Sequence, residues 1–187
     1  MAERARVPPG QGVTKGWPVL HVGPVPGFDP AAWTLRVHGA VERPFVLSWA
    51  ELLELERCAP VTDFHCVTGW SRLGVAWEGV RLAVLLARAR PAAAARFVRF
   101  ADGGAYDTTA PLLPALADGA FLADRADGLP LEPRHGGPLR AVVPSLYAWK
   151  SCKWVREVEL LSEERLGFWE LRGYHNGADP WREQRLI

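Results

Sequence analysis

The sequence "DFHCVTGWSRLGVAWEGV", from Asp63 to Val80, contains the thiol on which the interpretation of this chain depends. The preceding run "APVTDFHC" predicts a strand that ends at Cys66, and a turn containing Thr68 and Gly69 follows it. Neighbouring side chains of a strand point to opposite faces, so His65 is a poor base for Cys66. A thiol at the end of a strand beside a loop is a candidate functional group.

Three roles remain open for Cys66 when only the residues are considered. Free cysteine is among the most buried residue types, so a core thiol is one of them. A nucleophile and a soft-metal ligand are the other two, and both act as the thiolate. A nucleophile would need an imidazole brought in by folding, from His21, His135 or His175.

The composition excludes several classes of protein. A chain of 187 residues that is 49% hydrophobic and 23% charged is typical of one soluble globular domain with its own core. Its net charge of +1 gives no support to a nucleic-acid partner, and the longest apolar run is too short for a membrane span. Three widely spaced cysteines without a C-x-x-C pair indicate reduced thiols. We therefore expect a cytoplasmic protein, since the first residues also lack an apolar signal segment.

The distribution of prolines, glycines and apolar residues predicts an irregular arm and one domain. Residues 1–30 contain repeated Pro-Gly breaks, and their Trp17, Leu20 and Phe28 favour packing of this arm on the domain formed by residues 31–187. Strands are predicted at "WTLRVHG", "PFVLS", "APVTDFHC", "ARFVRFAD", "LRAVVP" and "KWVREVELL". Short helices are predicted at "SWAELLEL", with Ser48 as N-cap, at "GVRLAVLLARARP" and at "APLLPALADG". This mixture without regular alternation predicts an α+β fold with a mixed sheet.

A hydrolase is one alternative function. "GWSRL" matches the nucleophile-elbow pattern G-x-S-x-G around Ser71 except at its last position, where Leu73 replaces the glycine that the tight turn needs. "HGG" at 135–137 is similar to an oxyanion-hole sequence, but it runs into Pro138, which has no N–H to donate. Both departures disfavour this alternative.

Two further segments suggest anion binding. In "LPLEPRHGGPLRAVVP" two glycines allow close backbone approach to a ligand, and Arg140 supplies a cation suited to phosphate. In "YAWKSCKWVREVEL" the hydroxyl of Ser151 lies between Lys150 and Lys153, just before a predicted strand. Each segment alone is more often a solvated turn, but with Cys66 they would supply a thiolate and two anion-binding loops.

Four segments together carry a resemblance to a known family. "FHCVTGWS", "HGGPLRAVVP", "YAWKSCKWVREVEL" and "GFWELRGYHNGADPW" occur in the family's order, over nearly the whole chain from about Pro9. The chain resembles the molybdopterin-binding domain of the sulfite-oxidase superfamily, especially compact bacterial oxidoreductases related to the catalytic subunit of methionine-sulfoxide reductase. The resemblance implies the α+β, mixed-sheet fold of that domain, a molybdenum–molybdopterin cofactor, and Cys66 as the protein ligand to molybdenum.

The resemblance also implies a set of cofactor contacts and a pocket rim. The implied contacts are Trp17 and His21 in the arm, His65 and Thr68 around the cysteine, Asp102 after a strand, His135 and Arg140, and the loop residues Lys150, Ser151, Cys152 and Lys153. With Cys66, we interpret Trp70 and Arg72 as catalytic residues at the rim of the pocket, beside His65.

The expected activity is two-electron oxygen-atom transfer on a small S- or N-oxide or a sulfite-like molecule. Sulfite oxidases carry adjacent arginines soon after the cysteine, whereas here Trp70 and Ser71 occupy that region and Arg72 comes later, which disfavours sulfite. A tryptophan-lined mouth favours a partly apolar substrate. The sequence contains no recognisable flavin, haem or iron–sulfur segment, so a separate electron-transfer partner is expected. A molybdopterin-binding module without redox activity is the other alternative.

Overall fold

The computed structural model describes residues 4–187, which fold into two β-sheets with three short α-helices. The strands are β1 (Gly12–Val13), β2 (Thr34–Gly39), β3 (Phe45–Ser48), β4 (Arg57–Cys58), β5 (Val61–Cys66), β6 (Trp70–Arg81), β7 (Phe97–Ala101), β8 (Asp107–Pro111), β9 (Phe121–Ala126), β10 (Leu129–Pro130), β11 (Arg140–Val142) and β12 (Glu157–Leu161). The helices are α1 (Trp49–Leu53), α2 (Leu82–Ala89) and α3 (Leu112–Ala117). Short 3-10 turns lie at Arg4–Arg6, Pro133–His135, Ala148–Lys150 and Glu170–Arg172.

The long strand β6 organises the first, seven-stranded sheet. It pairs antiparallel with β5 and β4 on one side and with β9 on the other, and parallel with β1 of the arm. β9 then pairs with β10 and β11. A Cβ atom at Gly79 of β6 would lie 2.0 Å from the carbonyl oxygen of Leu122, so the close approach of β6 and β9 requires glycine there. The sheet thus connects the cysteine-bearing β5 to β11, which carries Arg140.

The second sheet contains five strands in the order β3-β2-β12-β7-β8. β12 lies parallel to β2 and antiparallel to β7. The inner faces of these strands and α2 bury a large apolar cluster that includes Leu35, Leu85, Val98 and Val158. Apolar burial of this extent dominates the stability of a chain of this size. It also anchors β12, and with it the loop that precedes β12 and borders the site.

Most strands and helices expected from the sequence are present. Ser48 caps α1 through a capping box with Glu51, as predicted. The predicted helix at "GVRLAVLLARARP" was wrong at its start, because Val80 belongs to β6 and the helix begins at Leu82. Its buried face is Leu82, Leu85, Leu86 and Ala89. Pairing with β5 and β9 holds residues 70–81 in one strand. The local sequence pattern did not predict a strand of this length.

The arm contacts the first sheet through a strand pairing and through an aromatic side chain, among other contacts. β1 pairs with the start of β6, and the ring of Trp17 packs edge-on against Phe64 and Trp77, with centroid distances of 6.3 and 5.5 Å. Residues 1–3 of the predicted arm lie outside the described residues. Within residues 4–187, none of the helices has both the length and the apolar character that crossing a membrane requires.

Candidate active site

Cys66 sits at a hairpin corner that turns its sulfur into a cavity. It is the last residue of β5 and pairs with Trp70 of β6, and the N–H of Gly69 donates to its carbonyl at 3.0 Å. Gly69 has φ +95°, a left-handed conformation that favours glycine in such a loop. The Cys66 side chain is 8% exposed and lines a cavity of about 350 Å³. Its Sγ lies 3.2 Å from the hydroxyl oxygen of Thr68, which lines the same cavity.

Two cations form another part of the cavity lining. The buried guanidinium of Arg140 donates to the carbonyls of His135 (2.6 Å) and Ser151 (3.0 Å), and its Nε has no partner within residues 4–187. The Lys153 ammonium donates to the Arg134 carbonyl at 2.7 Å. Neither cation forms an ion pair with a carboxylate of the described chain. Two closely placed cations with neutral partners favour an anionic ligand, because burying a charge without a counter-ion costs free energy.

Burial changes the ionisation of both cations. Desolvation and the charge of Arg140 lower the pKa of Lys153 from its ordinary value of 10.5 to about 7. Burial lowers the pKa of Arg140 to about 10, so this guanidinium remains charged at neutral pH. Of these two cations, Lys153 is therefore the one whose charge changes near pH 7.

Anion binding to the apoprotein is expected to weaken as pH rises through about 7. Below that pH Lys153 is charged and attracts an anion, while above it the free protein must first take up a proton, which lowers affinity by up to about tenfold per pH unit. Sulfate keeps its charge over this range, so titration calorimetry with sulfate between pH 6 and 9 measures the effect. Lys153→Arg stays charged and should give a flat profile; the same slope in that variant would contradict the assignment.

Aromatic rings form most of the remaining wall. Trp17, Leu20 and His21 of the arm border the cavity, as do Phe64 and Trp70 of the first sheet. The other aromatic residues of the lining are Tyr106, Trp149, Trp154, Trp169 and Tyr174. Flat, apolar walls of this kind suit a fused-ring ligand.

The cavity brings together eight of the residues that the sequence proposed for the site. These are Trp17, His21, Cys66, Thr68, Trp70, Arg140, Ser151 and Lys153. Thus both cationic segments, which are distant from Cys66 in sequence, contribute to the same cavity as the thiol.

His65 and Arg72 were expected at the pocket rim, and the structure places both outside the lining. His65 points to the face opposite Cys66, where its Nδ1 lies 2.8 Å from the hydroxyl oxygen of Ser71. The Arg72 guanidinium lies over the ring of Trp17, 4.5 Å from its centroid, and pairs with Asp127. Trp17 lines the cavity and Arg72 does not, so Arg72 contacts the arm in place of a ligand.

Four residues that were expected to contact the cofactor are also absent from the lining of this cavity. His135 stacks on Trp17 with centroids 4.3 Å apart, and its Nε2 lies 3.1 Å from the Trp17 carbonyl oxygen. Lys150 is fully buried and pairs with Glu170. Cys152 is packed in the core, where burial raises the pKa of its thiol well above the ordinary value. Asp102 accepts the N–H groups of Gly104 and Tyr106 and borders a second cavity of about 360 Å³.

The geometry does not support a serine nucleophile. Ser71 is 0% exposed and lies within β6, not on a strand-to-helix turn. Its hydroxyl contacts His65 and, at 3.4 Å, the amide oxygen of Gln11. A substrate carbonyl could not reach this buried oxygen.

Sequence reasoning missed the aromatic wall that the C-terminal part of the chain contributes. Trp149, Trp169 and Tyr174 line the cavity, although the segment "GFWELRGYHNG" shows no regular period. Tyr106 was missed as well, and its hydroxyl donates to the Trp149 carbonyl. The density of aromatic residues in segments 147–154 and 168–174 was the available signal.

Comparison with a solved structure identifies the class to which this fold belongs. The solved structure of the sulfane dehydrogenase SoxCD from Paracoccus pantotrophus superposes with a TM-score of 0.65 at 22% identity, covering 74% of this chain and 40% of that one. The two proteins therefore share the fold. This confirms the predicted mixed-sheet, sulfite-oxidase-type molybdopterin fold.

Sequence comparison then gives the family. The chain belongs to the oxidoreductase molybdopterin binding domain family, whose pattern matches residues 22–169. It is 44% identical over 185 residues to the uncharacterized oxidoreductase YuiH of Bacillus subtilis, covering 98% of this chain and 93% of YuiH. It is 28% identical to the protein-methionine-sulfoxide reductase catalytic subunit MsrP of Campylobacter jejuni, covering 76% of this chain and 54% of MsrP. The resemblance and the assignment as an oxidoreductase are thereby confirmed.

The cavity fits the cofactor class that the family name states. A soft thiol, two cations without carboxylate partners among residues 4–187, and flat aromatic rings line one cavity, and the Nε of one of these cations, Arg140, has no hydrogen-bond partner there. These groups match the soft metal, the phosphate and the fused rings of a molybdenum–molybdopterin.

Proposed function

We propose that this protein is a molybdenum-cofactor-dependent oxidoreductase that transfers an oxygen atom between water and a small S- or N-oxide or sulfite-like substrate. For a sulfoxide the balanced change is R₂SO + 2H⁺ + 2e⁻ → R₂S + H₂O, and for sulfite it runs as SO₃²⁻ + H₂O → SO₄²⁻ + 2H⁺ + 2e⁻. The bound cofactor supplies the two-electron redox chemistry, while the protein binds and orients it and shapes access.

The placement of Cys66 carries this proposal. Its thiol lines the same cavity as Arg140 and Lys153, so one ligand can contact the sulfur and both cations. In the proposed role Cys66 binds molybdenum as the thiolate, the form in which a cysteine binds metal. Arg140 and Lys153 bind the phosphate, with the Ser151 hydroxyl nearby. Ser151 Oγ also accepts the Val143 N–H at 3.1 Å, which fixes this hydroxyl beside the cations.

The arm excludes water from the proposed cofactor. Trp17, Leu20 and His21 cross one side of the cavity. Trp17 is held by stacking on His135 and by the Arg72 guanidinium on its ring. His135 and Arg72 therefore act through Trp17 in this proposal, as residues that position the arm.

Two further features belong to the proposal. Electrons come from a separate electron-transfer partner, and the naming of the relative MsrP as a catalytic subunit supports this. A cytoplasmic location is supported by three free thiols, which persist best in a reducing compartment.

Metal and pterin analysis tests the proposed function. Protein produced in a molybdate-replete host is expected to contain molybdenum together with a pterin that fluoresces after oxidation, and to reduce or oxidise small oxides with a redox dye. Pterin without turnover would instead support a binding module. The absence of both, with ester hydrolysis lost in Ser71→Ala, would overturn the proposal in favour of a hydrolase.

A further inference from the structure

Three aromatic side chains form a continuous wall beside the cysteine loop. The ring of Tyr174 lies 4.9 Å from that of Trp169 and 5.1 Å from that of Trp149, with the latter pair edge-on. Val67, the residue after Cys66, packs against the same cluster. The three rings therefore line the same cavity as the thiol and lie beside the loop that follows it.

This wall offers no charge to a substrate. Within the described chain, the charged lysine and arginine side chains of the lining are Arg140 and Lys153, and the lining includes no carboxylate. The proposed cofactor phosphate occupies both cations. A substrate beside Trp149, Trp169 and Tyr174 thus meets uncharged aromatic rings, and the negative quadrupole of a ring face attracts alkyl groups on positively polarised sulfur or nitrogen.

Buried polar contacts fix the orientation of this wall. The Trp149 Nε1–H donates to Glu170 Oε1 at 3.2 Å, and the Thr108 hydroxyl donates to the same oxygen at 2.9 Å. Lys150 pairs with that carboxylate from inside the fold. Tyr147 stacks on Trp149 with centroids 5.2 Å apart and an angle of 16° between the rings. The indole therefore has little freedom to rotate.

We propose that Trp169 and Tyr174, backed by Trp149, determine specificity for a neutral, alkylated S- or N-oxide over an anionic oxide. The inference rests on the proposed function and adds the substrate class to it. The S–O or N–O bond breaks and the oxygen leaves as water with two protons from solvent, while an external reductant supplies the two electrons. The alkyl groups pack on the rings, while an oxyanion finds no cation on this wall.

Turnover of two oxides by the molybdenum-loaded protein tests this inference. Dimethyl sulfoxide is neutral and alkylated and nitrate is anionic, yet both accept electrons from the same reduced viologen dye. Wild type is expected to favour dimethyl sulfoxide in kcat/KM. With turnover expressed per bound molybdenum, Tyr174→Ala should raise KM for dimethyl sulfoxide about tenfold more than it raises KM for nitrate, a selective loss of the size expected for one ring contact. Tyr174→Phe keeps the ring and should behave as wild type.

Two results would overturn the inference while leaving the proposed function intact. One is a wild-type preference for nitrate; the other is an equal loss on both substrates in Tyr174→Ala. If that variant does not fold, Trp169→Leu keeps an apolar side chain without the ring quadrupole and should show the same selective loss. Binding of dimethyl sulfone, followed by tryptophan fluorescence, needs no metal and should weaken in both variants; unchanged binding would also contradict the inference.

Discussion

Replacing Cys66 with serine is expected to reduce oxygen-atom transfer by more than about a hundredfold, beyond the 10–100-fold cost typical of changes around a metal ligand. The hydroxyl is similar in size but is a hard, weakly acidic donor, so it replaces a soft thiolate poorly at molybdenum. The fold should persist, because the side chain lies at a hairpin corner and is 8% exposed. The measurements are turnover with a dye, molybdenum content, and the visible absorption of the loaded protein.

Cys58→Ser is the matched control for that variant. Cys58 lies on β4, and it is absent from the cavity lining. Its replacement should leave turnover, metal content and absorption unchanged. Equal spectra and turnover for Cys66→Ser and Cys58→Ser would disprove the assignment of Cys66 as the ligand.

Replacing Lys150 with methionine is expected to lower the free energy of unfolding by about 3–5 kcal/mol. Both charged side chains of the Lys150–Glu170 pair are fully buried, and Lys150 Nζ also donates to the Thr109 carbonyl (2.7 Å) and to Asn176 Oδ1 (3.0 Å). The change leaves the Glu170 carboxylate buried without its cation. Urea unfolding of the apoprotein measures the effect.

The double variant Lys150→Met, Glu170→Gln distinguishes the ion pair from simple loss of packing. Neutralising Glu170 removes the uncompensated charge, while its amide oxygen can still accept from Trp149 and Thr108. The double variant should therefore be more stable than the sum of the two single effects predicts. Strict additivity would show that the two charges are not coupled.

Local patterns were sufficient to predict several elements, including the strand that carries Cys66. Alternation in "WTLRVHG", the Ser48 capping box and the strand ending at Cys66 depend on near neighbours in sequence, and all three are present. The opposite orientations of His65 and Cys66 also follow from the strand period alone.

Long-range contacts determined what the sequence could not show. Lys150 was expected to face a ligand, but its partner Glu170 comes from a segment without a regular period. Arg72 was expected at the rim, but the ring of Trp17, 55 residues earlier, covers its guanidinium. The extent of β6 likewise depends on pairing with β5 and β9. Such pairings are invisible to reasoning about local periodicity.

His135 and Arg72 hold Trp17 against the cavity, so ligand binding in the cavity is coupled to closure of residues 17–22 over it. Residues of the segment 17–22 line the cavity, so a bound ligand can contact the segment in its closed position. Once seated, a ligand that touches the indole tightens the segment by the same factor by which the segment tightens the ligand. As more of the protein binds a ligand in the cavity, the peptide bonds around residues 17–22 should therefore become more resistant to proteolysis.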